Sequence, residues 1–348
     1  MEGTALASPF VEPAPPVASP RETRWDRRTV APLGARGVAA VLSPVIAALL
    51  ALLVHDVLPN RQIALSTWLY PLLLETLAAV TLALAIAQRI WPRFRAKVRH
   101  YGPLLAGVSV WLCIWDLWTL KLAWARLPHF PGPEMVLQGI WEDREMLVES
   151  AFESLQRLGA GYFSGVALGL LAGVLMGWFH NVRYWGTPVM KVLGPIPATA
   201  LVATAMAIFP GSFLPGPALI AFAVWFPVTM LTMSGIMNVP TSYFDVARTL
   251  GARRGYLIFR VAIPAALPSI FIGLFIGLMA SFLVLVVAET VGVQNGLGWY
   301  LIWQLGWAEY DKMWGVLFIM IAFFSGILTL LFKVRDRVLG WQKGVIRW

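Results

Sequence analysis

Eight stretches of mostly apolar residues follow one another along this chain, at about 37–57, 69–91, 103–123, 159–179, 188–209, 217–237, 265–289 and 313–333. Each is long enough to cross a hydrocarbon layer, which takes roughly 20 residues of helix. A segment in lipid must satisfy its own backbone hydrogen bonds, so these stretches are expected to be helices. The expected fold class is an all-α polytopic membrane protein. Composition agrees: 59% of residues are hydrophobic and 13% charged, where soluble domains carry about a quarter charged. The 188–209 stretch holds Pro188, Pro195 and Pro197 and is the least regular of the eight.

A formal net charge of +9 raises the question of nucleic acid, but the position of the cations answers it. Arg89, Arg93, Arg95, Lys97 and Arg99 follow the second stretch, Arg183 and Lys191 the fourth, and Arg248, Arg253, Arg254 and Arg260 the sixth. Lys333, Arg335, Arg337, Lys343 and Arg347 follow the eighth. The loops between are short, or acidic, as in 134–153 with Glu134, Glu142, Asp143, Glu145, Glu149 and Glu153. Basic loops on every second turn of the chain are the signature of membrane orientation, and they place both termini in the cytoplasm. The acidic region reads as a solvated outer segment. No nucleic-acid partner is expected; membrane lipid is.

The single Cys113 and four scattered histidines show no ligand spacing, so no metal site is expected. Residues 1–36 are Pro-rich with a late Arg cluster, which reads as a disordered basic cytoplasmic tail and not a secretory signal. Gly161, Gly165, Gly169, Gly173 and Gly177 recur every fourth residue, a stripe along one helix face that lets a neighbouring backbone approach; Gly273 and Gly277 repeat it. Trp111, Trp178, Trp299 and Trp307 sit near stretch ends, as interfacial anchors do.

The stretch from Tyr243 to Pro264 is too polar to span and too patterned to be a passive loop. Phe244, Ala247, Leu250 and Gly251 lie at helical spacing, and Leu257, Ile258 and Val261 start a second apolar face. This predicts two short surface helices with a Gly joint. Asp245-Val-Ala247, Gly251 four positions on, then Val261, Ile263 and Pro264, resembles the Glu-Ala-Ala…Gly…Ile-x-Leu-Pro loop of binding-protein-dependent ABC importer permeases. Ser154-Leu-Gln-Arg157 before Gly161, Pro195-Ile-Pro197, Ala288-Glu289 and Gly296-Leu-Gly298 are similar to motifs of the nitrate, sulfonate, taurine and bicarbonate permeases. Phe209 to Pro217 departs from that pattern.

The resemblance implies a type I importer core over 100–348, two accessory spanning helices over 37–99, and coupling helices at about 240–263. It implies a permease subunit in a bacterial plasma (inner) membrane that pairs with a second permease chain, identical or not. It also implies two cytoplasmic ATPases beneath and a soluble or lipid-anchored solute-binding protein. The chain has no Gly-x-x-x-x-Gly-Lys-Ser/Thr motif, so ATP and Mg are expected on the partner ATPase and no enzymatic activity here. Asp245, Ala247, Gly251, Ala252 and Pro264 are implied as the coupling residues. Candidates for the translocation pathway are Glu289, an ionisable group at a span, the cation Arg157, and the hydroxyls of Thr199, Thr204, Thr229, Thr232, Ser234 and Ser281. A small anion is the implied solute. The alternatives are a non-transporting membrane scaffold or assembly subunit, and a membrane enzyme that would have to draw its acids from 134–153.

Overall fold

The computed structural model describes residues 35–62, 68–90 and 92–342. The expected tail and Lys343 and Arg347 lie outside the described residues, as do the side chains of Arg89, Arg93, Arg95, Lys97 and Arg99. In chain order the α-helices of interest are α1 (Ala35–Val57), α2 (Leu69–Ile90), α3 (Pro92–Asp116), α4 (Pro133–Glu142), α5 (Arg144–Trp178) and α6 (His180–Leu193). There follow α7 (Val202–Ile208), α8 (Pro215–Met237), α9 (Thr241–Thr249), α10 (Ile263–Gly292), α11 (Leu297–Gly306) and α12 (Tyr310–Val338). Among the described residues, seven helical runs are long and apolar enough to cross a membrane, or eight if a bent pair counts as one span.

That bent pair is the irregular stretch. α6 and α7 meet at 75°, so the expected span at 188–209 is not a straight helix. The break falls at Gly194-Pro195-Ile196-Pro197, where two prolines lack the N–H that a continuing helix needs. Proline also pushes its preceding residue out of helical backbone.

Contacts divide the chain into two units, one ending at Ala123 and the other running from Trp124 to the C-terminus. The expected boundary at 99/100 falls inside α3, and α3 packs on α1 and α2 within the first unit. That unit has a polar end inside otherwise apolar helices. The Lys121 ammonium, 3% exposed, donates to the carbonyls of His55 and Leu58 at 2.6 Å each. It thereby caps the open C-terminus of α1, where a cation is favoured. Asp116 faces His55 Nδ1 at 3.2 Å, and the Tyr70 hydroxyl donates to the Leu112 carbonyl at 3.2 Å.

In the second unit α8 lies between α5 and α10, and glycine makes both contacts possible. A Cβ on Gly165 would stand 2.8 Å from Val224 Cβ, on Gly169 2.7 Å from Val228 Cβ, and on Gly173 2.6 Å from Thr232 Cβ. Gly273 and Gly277 bring α10 onto the other side of α8 at Val228 and Val224. Buried Leu158, Ile220, Val224, Val228, Leu278, Leu285 and Ala288 form the core between them. Any side chain on the stripe must therefore push two helices apart. Gly169→Leu is expected to destabilise the fold by about 1–3 kcal/mol, the usual range for overpacking. Thermal aggregation of the purified chain, followed by fluorescence size exclusion, checks this. Gly159→Ala, where a Cβ meets nothing within 4 Å, is the silent control.

Candidate functional site

The polar loop after α8 forms one helix, not two. α9 is a nine-residue surface helix with Tyr243, Val246 and Leu250 exposed. It ends in a closed turn: the Ala252 N–H donates to the Ala247 carbonyl at 3.0 Å, and the Gly251 N–H to the Arg248 carbonyl at 2.9 Å. These two bonds make a Schellman motif, which needs a left-handed residue, and Gly251 supplies φ +81°. Arg253 is then extended, and the chain enters helix again at Arg254.

The second expected surface helix is instead the start of the next span, which runs unbroken from Arg254 to Val291. Leu257–Ala262 adopts π-helix immediately before Pro264. The proline has no N–H for the preceding turn, and a widened turn is one way for helix to pass such a residue. Pro264 thus lies within a continuous helix. α9 and this helix enclose an open cleft of about 600 Å³ lined by Tyr243, Ala247, Gly251, Ala252, Tyr256 and Arg260, among others. Asp245 points away into an exposed pair with Arg248 at 3.1 Å.

At the far end of α10, three sequence motifs meet. Glu289 is 1% exposed and accepts from Ser154 Oγ at 2.7 Å, Arg157 Nη1 at 3.3 Å and the Gly298 N–H at 2.9 Å. Ser154 Oγ in turn accepts from the Leu297 N–H at 2.9 Å. Arg157, also 1% exposed, donates further to Glu153 at 3.3 Å and to the Asn295 carbonyl at 3.3 Å, and contacts Asn295 Oδ1. Gly298 cannot carry a side chain, because its Cβ would meet the Val286 carbonyl at 2.8 Å. Gly296 holds φ +104° with Glu289 packed against it. The Ser-Leu-x-Arg, Ala-Glu and Gly-Leu-Gly motifs are therefore parts of one knot that ties α5, α10 and α11 together.

The candidate hydroxyls do not join this knot. Thr229 and Ser281 are fully buried but donate to carbonyls of their own helices, Trp225 and Leu278, at 2.7 Å each. Thr232 is buried against Gly173 with its Oγ1 unpartnered. Ser234 and Thr204 are exposed, and Thr199 is half-buried in the short 3₁₀ turn Ala198–Leu201.

The acidic region is also less solvated than expected. Glu134 is 3% exposed, and Glu153 is held by Arg157. Asp143 accepts from the Tyr300 hydroxyl at 2.7 Å, Gln304 Nε2 at 3.1 Å and Lys312 Nζ at 3.3 Å. Burial, and next the Asp143 carboxylate, push the Tyr300 phenol above its ordinary pKa, so it stays a donor to Asp143. The sequence offered no signal for this second network, because its members lie on α11, on α12 and between α4 and α5. The atypical loop before α8 has a contact too: the Phe213 ring lies 5.8 Å from the Arg157 guanidinium carbon.

Among the described residues, a set of helices long and apolar enough to span, one of whose connections closes into a short exposed helix, defines a polytopic membrane protein. The chain belongs to the family of binding-protein-dependent transport system inner membrane components, whose model matches residues 165–339. That match lies wholly within the second unit. It is 28% identical to a probable ABC transporter permease protein of Haemophilus influenzae, over 65% of this chain and 91% of that one. It is 27% identical to the nitrate import permease protein of Synechococcus elongatus, over 70% and 89%. It is 31% identical to the taurine transport system permease protein of Escherichia coli, over 60% and 76%. A solved methionine ABC transporter in an inward-facing conformation is matched at 20% identity and a TM-score of 0.48, over 59% of this chain and 99% of that one. The chain is thus a multi-pass importer permease of the plasma membrane, a transport subunit and not the ATPase itself.

Proposed function

We propose that this permease carries a small anion, of the sulfonate, taurine, nitrate or bicarbonate class, and is driven by separate cytoplasmic ATPases that seat on α9. The observation that carries the coupling half is α9 itself: a short exposed helix, closed by the Gly251 turn, inside the family-matched segment. Ala247 and Gly251 leave its surface small, so an ATPase cleft can close on it, with ATP and Mg bound on that partner. Two permease chains would frame the path, and a solute-binding protein would load it from the opposite face, leaving α9 and both termini in the cytoplasm. Residues 100–348 would serve as the transport core and residues 37–99 as an accessory element. Nitrate and taurine come from the named relatives, and sulfonate and bicarbonate from the motif resemblance.

Arg157 is a poor receptor for that anion, since two carboxylates, Glu153 and Glu289, already bond its guanidinium. Arg157 and Glu289 serve instead as positioning residues at the end of the path, and the contacts among Thr229, Thr232, Ser281 and neighbouring helices serve packing.

The test is uptake by cells with and without the chain, using labelled taurine, an alkanesulfonate, nitrate and bicarbonate. Proteins that co-purify with the chain in mild detergent are identified alongside. Loss of uptake of one of the four, with a Walker-motif ATPase in the preparation, is the expected result. Unchanged uptake of all four would remove the anion assignment, and a preparation free of any ATPase would favour a scaffold.

A further inference from the structure

The last two spans are joined by residues 292–309, in which the sole Asp, Glu, Lys, Arg or His is the final residue, Glu309, paired with Lys312 of the next span at 2.9 Å. A water-exposed connector of this length ordinarily carries charge, because charge keeps loops solvated. α11 fills most of it and presents two unlike faces. On one face Leu297, Gly298, Tyr300 and Gln304 are buried, pinned by Ser154, Glu289 and Asp143. On the other, Trp299, Trp303 and Trp307 follow at four-residue spacing with neighbouring ring centroids 5.3 and 5.9 Å apart. Trp303 is 46% exposed and Trp307 67%, and Ile302 and Leu305 beside them are 44% each. Between this face and the end of α10 lies an open cleft of about 610 Å³, with Thr290 and Gln294 as its polar lining.

We infer that α11 lies in the interfacial layer of the bilayer, with its tryptophan face and cleft occupied by the headgroup–glycerol region of phospholipid. Three observations point to lipid and away from a protein or water. The helix is tethered at both ends to spans, which stop at Val291 and resume at Tyr310, so it sits at the membrane boundary. Its exposed face consists of tryptophan and aliphatic residues, and indole, with an apolar body and one N–H, is suited to that boundary. The cleft holds amide and hydroxyl groups but no charge, so it selects neither anionic nor cationic headgroups and its occupancy does not depend on lipid charge. The polar contacts beneath fix α11 against the bundle, which makes this an anchor for the end of α10 that carries Glu289.

The test uses the full chain, purified with its co-purifying subunits and placed in lipid nanodiscs. Trp303→Cys and, separately, Trp307→Cys are made in a Cys113→Ala background and labelled with a nitroxide. Both positions are exposed, so labelling does not require the core to open. Collisions with oxygen, which concentrates in lipid, are compared with those of a water-soluble nickel chelate. The exposed Glu145→Cys serves as the aqueous reference. The expected result is oxygen exceeding nickel at both tryptophan positions and the reverse at 145, with the same values in zwitterionic and anionic nanodiscs. Nickel exceeding oxygen at 303 and 307 would place the helix in water and overturn the inference. So would low access to both, or protection on adding the solute-binding protein, which would make this face a protein contact. A lipid-facing signal in anionic nanodiscs alone would also overturn it, since the cleft would then be reading charge.

Discussion

Arg157→Ala is expected to destabilise this permease by about 3–5 kcal/mol, the cost typical of removing one partner of a buried ion pair. Glu289 would keep only the Ser154 hydroxyl and the Gly298 N–H in a site sealed from water. Asn295 and Glu153 would lose their tie as well, leaving the Leu297 N–H to Ser154 bond to hold the connector on α5. Arg157→Met combined with Glu289→Met removes both charges at similar volume and is expected to recover more than half of the loss. The readout is the melting temperature of the detergent-purified chain, set beside its uptake rate. A single variant that melts like the native chain yet fails to transport would return Arg157 to the pathway.

Gly251→Val is expected to lower uptake about tenfold or more while the chain inserts and accumulates normally. A residue other than glycine in left-handed backbone costs roughly 1–2 kcal/mol, and a β-branched one is the worst choice. That energy is enough to shift the balance away from the Schellman turn about tenfold. Nothing lies within 4 Å of a Cβ at this position, so the damage is confined to the aim of α9. Gly251→Asn separates conformation from contact, because asparagine tolerates left-handed backbone while still adding a side chain. Retained uptake with asparagine and loss with valine would mean that the turn matters. Equal loss with both would mean that a partner touches Gly251 itself. Equal retention would end the coupling role of this turn.

Much of the architecture was legible because lipid imposes a length. The starts and ends of most spans could be read from runs such as 217–237, against a helix at Pro215–Met237. The glycine stripe also announced its packing face, since no other residue type permits such approach. What hid was everything set by pairing across the chain. Arg157 and Glu289 are 132 residues apart, and nothing local says that the cation is buried or that the motifs around both serve one knot. Asp116 and Lys121 interrupt an apolar run, a signal that was available, but their partners on α1 were not. The surface loop misled for a different reason. Its second half has the periodicity of a short helix because it is the first turns of a long one, and periodicity alone does not show where a helix stops. The prolines at 195 and 197 marked a defect without giving its angle.

The contact between α5 and α8 repeats itself. Gly161, Gly165, Gly169, Gly173 and Gly177 face Ile220, Val224, Val228, Thr232 and Ile236, a row of glycines against a row of β-branched residues at the same spacing. Each rung has nearly the shape of the next. If one helix slides along the other by one rung, four residues or about 6 Å, most glycines meet a new β-branched partner and little void opens between them. Prying the helices apart, by contrast, exposes every rung at once. The contact is therefore shaped like a rail, firm against separation and permissive along its length.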